Sequence, residues 1–367
     1  MKTNEYLFPQ RLTRRDFVRT AAAASAALAL PTLSRAEDKE PPVRIGSGYF
    51  TYEAVKNWGD LPDGMKYGFG CGVIVDARDR VFVTSRSASP CVAIFDRHGK
   101  LLETWSDDFA GKIGFTKEQV KATAHCLYLS KEGRKEYIYW TENISDSKTP
   151  KFGARVYKTD MDGKVLYTIG NVEKEGSTSQ KFDWTNPTDV AVAPNGDIYV
   201  VDGYGSQRVS RFDKNFTHIR TIGGRCTKAK EHGLFNTCHG IWINTLRKNE
   251  EPEAYIADRA NGRIEVFSLT LDYKRTVLDG EVRNPCCFYQ HKDKLFVPDL
   301  ASRVTILDAE DRLVAHLGDG KDQKDNKTNP ALFSAPHAMC LDSRGDMYVV
   351  EWVDFGRPRK FKHTPQA

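Results

Sequence analysis

Short apolar runs, each closed by turn residues, fill the chain from about residue 70 to its end. The stretch NPTDVAVAPNGDIYVVDGYGSQRVSRFDKNFTHIRTIGG, Asn186 to Gly224, shows the unit. It holds four runs (VAVA, IYVV, RVSRF and HIRTI) rich in β-branched and aromatic residues, separated by Pro-Asn-Gly, Asp-Gly and Asp-Lys-Asn. Runs of four or five residues with such punctuation predict antiparallel strands joined by tight turns, not helices. The unit recurs with starts at Gly72, Cys126, Asp189, Gly240, Cys287 and Ala338, at steps of 54, 63, 51, 47 and 51 residues. Six self-similar units of four strands predict an all-β fold, a six-bladed β-propeller. A pair of β-sandwiches would leave the self-similarity unexplained.

The two ends of this pattern fit each other. The sixth unit runs out of chain after RPRKFKH, its third strand, while Tyr49 to Gly59 (YFTYEAVKNWG) resembles a missing fourth strand. The N-terminal strand is therefore expected to complete the last blade, closing the ring and leaving no open sheet edge.

Residues 1–36 fall outside the pattern. TRRDFVRT, with paired Arg14 and Arg15, precedes a short alanine-rich apolar run and a small-residue site ending at Ala36. That order predicts a twin-arginine (Tat) signal peptide over 1–36 and a propeller over 37–367, hence a periplasmic or secreted protein. The Tat route carries proteins already folded, which hints at a loaded metal or cofactor. The run is too short and too alanine-rich for a good membrane span, so no membrane span is expected in the mature chain. The segment also holds six of the 54 basic and two of the 49 acidic residues, so the remainder is nearly neutral, at +1. Nothing in that balance points to nucleic acid or an anionic membrane. A monomer acting on a small molecule or a peptide C-terminus is expected. Eight cysteines in an exported chain could pair, Cys226 with Cys238 first, whereas the adjacent Cys286 and Cys287 could not easily bridge each other.

Aligning the units on their first strands places one residue just before each start: Cys71, His125, Thr188, His239, Cys286 and His337. Histidine occupies this register in units two, four and six; histidines 98, 218, 232, 291, 316 and 363 fall outside it. Alternate blades of a six-bladed ring are related by a third of a turn, so three such side chains converge on the axis. Three nitrogen donors on one face suit zinc, which keeps a fourth position open. Cys71 and Cys286 share the register and could add a thiolate, although small buried apolar packing is their ordinary role. Three acidic–basic pairs, Asp202 with Arg208, Asp258 with Arg263 and Asp299 with Arg303, are expected to tie the turn after each second strand to the third.

With PTDVAVAPNGDIYVVDGYGSQR, CHGI, ADRANGRI and PHAM in order, the chain resembles the NHL-repeat propellers, and among them the peptidyl-α-hydroxyglycine α-amidating lyase family, most strongly from Asn186 to Phe267. The resemblance implies a zinc held by His125, His239 and His337, a catalytic tyrosine at Tyr204, and active-site arginines at Arg259 and, by the loosest match, Arg86. It implies cleavage of a carbinolamide C–N bond to an amide and glyoxylate, in which arginines grip a carboxylate and a tyrosine near cations takes a proton. Arg259, one blade on, is expected to lower the Tyr204 pKa. Three positions depart from the family: Ala335 for a methionine, Ala338 for a calcium-binding aspartate, and Gly205 for a disulfide cysteine. The family's calcium site and exact substrate are therefore not expected to carry over intact. Two other classes fit the same fold: a non-catalytic propeller that binds protein or glycan on one face, and a zinc hydrolase with Glu351 or Glu142 as base.

Overall fold

The computed structural model describes residues 41–87, 90–106, 109, 112–113, 116–143, 153–227, 231–318, 320–321, 333–354 and 356–366. The twin-arginine segment lies outside them. From Pro42 to Ala367 the chain forms one compact unit, built of six sheets whose four blade strands run antiparallel. In chain order the blades are β3–β6 (Gly70–Val75, Val81–Ser85, Val92–Phe95, Leu101–Trp105), β7–β10 (Ala124–Glu132, Lys135–Glu142, Arg155–Thr159, Val165–Gly170) and β12–β15 (Asp189–Val192, Ile198–Val201, Arg208–Phe212, His218–Gly223). They continue with β16–β19 (Cys238–Asn244, Glu253–Asp258, Arg263–Ser268, Tyr273–Val277) and β20–β23 (Tyr289–His291, Lys294–Asp299, Arg303–Leu307, Leu313–Leu317). The sixth blade is β24–β26 (Pro336–Leu341, Met347–Glu351, Pro358–His363) completed by β2 (Tyr52–Val55), with β1 (Arg44–Ile45) beyond it. The short β11 (Ser179–Lys181) extends the second blade, in parallel with β10.

The ring closes as expected. Strand β2 pairs antiparallel with β26, Tyr52 opposite His363 and Val55 opposite Lys360. Only Tyr52–Val55 of the Tyr49–Gly59 segment is strand, because Gly48–Phe50 forms a 3-10 turn.

Burial explains the strand sequences. Each second strand lies inside its own blade and is covered on both faces by neighbouring blades. IYVV and MYVVE are accordingly buried throughout. Fourth strands lie at the periphery with one face in water, and LLETW and YKRTV are mostly exposed or half-buried. Aromatic rings fill the wedges between blades. Phe109 stacks on Trp140 at 4.6 Å and 9°, joining blades one and two. The hairpin turns share one device: Asp76, Asp96, Asp160, Asp213, Asp308 and Asp342 each accept, at Oδ1, the N–H groups two and four residues on.

One helix, α1 (Lys117–Thr123), departs from the all-strand reading. It opens with a capping box in which Thr116 accepts from the Gln119 N–H and Gln119 reaches back to the Thr116 N–H. Its C-terminus runs straight into β7 and so delivers His125. No helix of the described residues is long and apolar enough to cross a membrane.

Of the three acidic–basic pairs, Asp258 and Arg263 are joined at 2.8 Å with both side chains buried, and Asp299 and Arg303 at 3.9 Å. Asp202 does not meet the Arg208 side chain. Its carboxylate accepts instead from the Thr185, Asn186 and Ser206 N–H groups, and its own N–H donates to the Arg208 carbonyl. The eight cysteines are thiols, and Cys226 and Cys238 are not bridged. Cys238 faces a blade-to-blade core with Phe235 and Ile241. Asp258→Ala leaves the buried Arg263 with Glu265, at 3.2 Å, as its remaining carboxylate, and leaves its Nε and the Asn236 N–H without their acceptor, which is expected to cost roughly 1–3 kcal/mol of stability. Urea unfolding checks this; a loss under about 1 kcal/mol, the size of an exposed pair, contradicts it.

Candidate metal centre

At the start of β7, β16 and β24 the pairing register slips, between Ala124 and Leu127, Cys238 and Ile241, and Pro336 and Ala338. Each slip is a β-bulge, and a bulge re-aims side chains. His125, His239 and His337 sit on these three bulges, and Cys71 sits on the matching one in β3. The chain leading into two of them is held in the left-handed region, at Thr237 (φ 65°) and Ala335 (φ 59°).

The three imidazoles are fully buried. Their ring centroids lie 5.1, 5.1 and 4.8 Å apart, and one nitrogen from each lies within 4.8 Å of the others. Each Nδ1 bonds the carbonyl of the next blade's residue at the same register: His125 to Thr188 at 2.6 Å, His239 to Cys286 at 2.8 Å and His337 to Cys71 at 2.6 Å. A carbonyl only accepts, so Nδ1 carries the proton and Nε2 the lone pair. Backbone carbonyls in this place orient metal-ligating histidines.

Nε2 of His125 and of His337 is buried with no hydrogen-bond partner. Two such orphaned nitrogens cost roughly 1–3 kcal/mol each unless something accepts their lone pairs. Burial, then nearby charges, hold His125 and His239 well below the ordinary histidine pKa, in the neutral form that ligates metals. The donor set therefore fits a metal ion. Metal–nitrogen bonds of about 2.0–2.1 Å place ligand nitrogens roughly 3.3 Å apart, so small side-chain rotations seat an ion among them.

A second ring lies above the first. In every blade a residue following the second strand, directly in five of them and three residues past Val201 in the third, donates its N–H to the carbonyl two residues before the axial position, at 2.8–3.3 Å. These six rim residues are Arg86, Asn143, Tyr204, Arg259, Leu300 and Trp352. Tyr204, Arg259 and Arg86, singled out in the sequence, thus share one backbone bond, although Tyr204 stands one residue later than Arg259 when their blades are aligned. The Tyr204 hydroxyl lies 3.0 Å from Nε2 of His239 and accepts from Nη1 of Arg259 at 3.1 Å. On the opposite side Arg86 bonds the Asn143 side chain and stacks over Trp352. The Trp352 ring in turn lies on His337, at 5.1 Å and 26°.

Arg259 does pull the Tyr204 pKa down, but burial outweighs it and the phenol stands at about 12. The expectation of a depressed value thus fails on desolvation. Asn143 and Trp352 were missed by sequence reasoning, although the residue after each second strand was the signal that could have found them. Glu142 and Glu351 belong to the structural frame. Glu142 is taken up by Tyr157 and Arg155, and Glu351 accepts from the Ser334 N–H and Arg357. They match Asp258, which accepts from the Asn236 N–H. All three clamp the loops that present the histidines, for Glu142 also bonds Thr123. Ala338 offers no side-chain oxygen to a metal.

Fold and site together define a six-bladed β-propeller with an axial histidine cluster that could hold a metal. Residues 185–212 match the NHL repeat, and lyases are among the distant relatives of the chain. It is 24% identical over 200 residues, 54% of its length, to the human NHL repeat-containing protein 3, and covers 51% of that protein. It is 28% identical over 133 residues, 36% of its length, to a probable peptidyl-α-hydroxyglycine α-amidating lyase of Caenorhabditis elegans, covering 34% of it. A lyase of the same description from Drosophila melanogaster is 29% identical over 136 residues, 35% of this chain and 23% of that one. The chain thus spans about half or less of the length of these relatives. A streptogramin B lyase structure superposes with a TM-score of 0.54 at 13% identity, over 87% of this chain and all of that one, which supports the fold alone.

Proposed function

We propose that this chain is a metal-dependent lyase that breaks the C–N bond of a carbinolamide, with a peptidyl-α-hydroxyglycine as the first substrate to test. One observation carries the reading. Two partnerless histidine nitrogens and a third bonded to a tyrosine converge on the propeller axis, beneath a rim bearing that tyrosine and two arginines. The names of the amidating-lyase relatives support it.

In the reaction the hydroxyl proton leaves, the carbon–oxygen bond becomes double, the C–N electron pair departs with nitrogen, and nitrogen gains a proton. His125, His239 and His337 would hold the ion, zinc by preference, which would supply Lewis acidity to a substrate hydroxyl. Tyr204 is placed to take the hydroxyl proton, and Arg259 holds its oxygen by hydrogen bond and charge. Arg86 offers a guanidinium for the substrate carboxylate from the far side of the rim. A hydrolase would need a carboxylate base at the site. Glu142 and Glu351 are engaged in the loop clamps instead, which favours the lyase. A protein- or glycan-binding propeller would have no use for a buried cluster of partnerless histidine nitrogens.

The test is glyoxylate release from a peptidyl-α-hydroxyglycine by purified, zinc-loaded protein. Release that disappears with a chelator and returns with zinc is the expected result. No release by fully loaded protein rejects this substrate.

A further inference from the structure

The residue after each axial position forms a third ring, deeper in the channel: Gly72, Cys126, Asp189, Gly240, Cys287 and Ala338. The bulge on β7 brings Cys126 as well as His125 to the channel, and glycine or alanine in three blades leaves room between them. A funnel of about 720 Å³, its open mouth included, leads to this ring; Cys126, Asp189, Cys287 and Ala338 line its floor. Its walls come from later residues of the inner strands, such as Val75, Leu129 and Trp242. It therefore enters from the end of the channel opposite the Tyr204–Arg259 rim.

Across the floor, Cys126 Sγ and Cys287 Sγ lie 3.8 Å apart, from blades two and five. Two thiolates on one tetrahedral ion, with metal–sulfur bonds of about 2.3 Å, sit roughly 3.8 Å apart. A His337 ring nitrogen lies within 4.8 Å of both sulfurs.

We propose that Cys126, Cys287 and His337 form a second ion site, which takes a thiophilic ion through this funnel. Sulfur donors select soft ions such as Cu(I) or Cd(II), and zinc among the borderline ones. Binding of a divalent ion exchanges two S–H bonds for two metal–sulfur bonds, and two protons leave to solvent. No oxidant or reductant takes part. The site rests on the three-histidine reading only through His337, which both sets share. With Nδ1 of His337 bonded to the Cys71 carbonyl, the two sets compete for its one free nitrogen and are alternatives, the sulfur set for a soft ion and the nitrogen set for a harder one.

The experiment adds cadmium(II) alone to the full chain after dialysis against a chelator. It reads sulfur-to-cadmium charge-transfer absorption and maps by mass spectrometry which cysteines resist alkylation. One cadmium per chain is expected, with Cys126 and Cys287 protected. The band should persist in the His125→Ala/His239→Ala variant, which cripples the three-nitrogen set, and vanish in Cys126→Ser and Cys287→Ser. Where a serine variant does not fold, alkylation of the unsubstituted chain decides alone. Equal alkylation with and without cadmium overturns the proposal. So does a band that survives both serine substitutions, or a Cys126–Cys287 disulfide in the purified chain. Failure of the three-histidine reading shows separately, as zinc binding in Cys126→Ser that is undiminished when His125→Ala and His239→Ala are added to it.

Discussion

His239→Ala removes metal and turnover together. His239 is the one axial histidine whose Nε2, the lone pair an ion would take, also lies beside the Tyr204 hydroxyl, at 3.0 Å. Loss of a partner that merely orients a ligand costs roughly 10–100-fold in metal affinity, so loss of the ligand itself is expected to cost more than that. Its Nδ1 bond to the Cys286 carbonyl also disappears, which loosens the joint between blades four and five. The measurement is zinc per chain by elemental analysis, beside glyoxylate release and far-ultraviolet circular dichroism to establish that the propeller persists. A folded variant retaining one tightly bound zinc with Cys126 and Cys287 still open to alkylation contradicts the site.

Tyr204→Phe has the opposite signature. The ring stays in its place between His125 and His239, with Arg259 over its face, and only the oxygen is lost. Metal content should be unchanged, while turnover falls on the order of 10²–10⁴-fold, the usual worth of a positioned acid or base. The loss should fall on kcat more than on KM, since carboxylate binding is left to the arginines. The pH profile separates this role from a packing one. If the phenol titrates during catalysis, the basic limb of the profile should alter in the phenylalanine variant. A fully active variant rejects Tyr204 as the proton acceptor.

Much of this was legible because a propeller converts three-dimensional convergence into a one-dimensional register. The six inner strands begin alike, so aligning VAVA with CLYL or GIWI was enough to place His125, His239 and His337 in line. The loops after the second strands differ in length and composition, and the same alignment did not extend to Trp352 or Asn143. Their likeness lies in a backbone N–H reaching a carbonyl, which leaves no mark on side-chain type. Helix α1 escaped because seven residues are too few for periodicity to show, although its capping box was in plain sight. The role of Glu142 and Glu351 stayed open for a related reason. An acid at the end of a strand looks the same whether it serves a substrate or a loop, and only its hydrogen-bond partners distinguish the two. The Tyr204 pKa depended on how deeply the phenol is enclosed, a quantity that sequence proximity to Arg259 does not contain.

The repeated N–H to carbonyl bond between rim and axis has a consequence for how such a site can change over evolutionary time. Because it is made by main-chain atoms, it constrains where a side chain starts but not which side chain it is. The channel mouth is therefore a set of interchangeable sockets on a fixed frame. Leu300 occupies one of them without contributing polar chemistry, immediately after Arg259 in the ring order. A single codon change there could install a second phenol or a carboxylate on the flank between His239 and His337 with the main chain left as it is. Lineages built on this frame can thus alter the reaction one socket at a time, and kinship in the blades is a poor guide to kinship in the substrate.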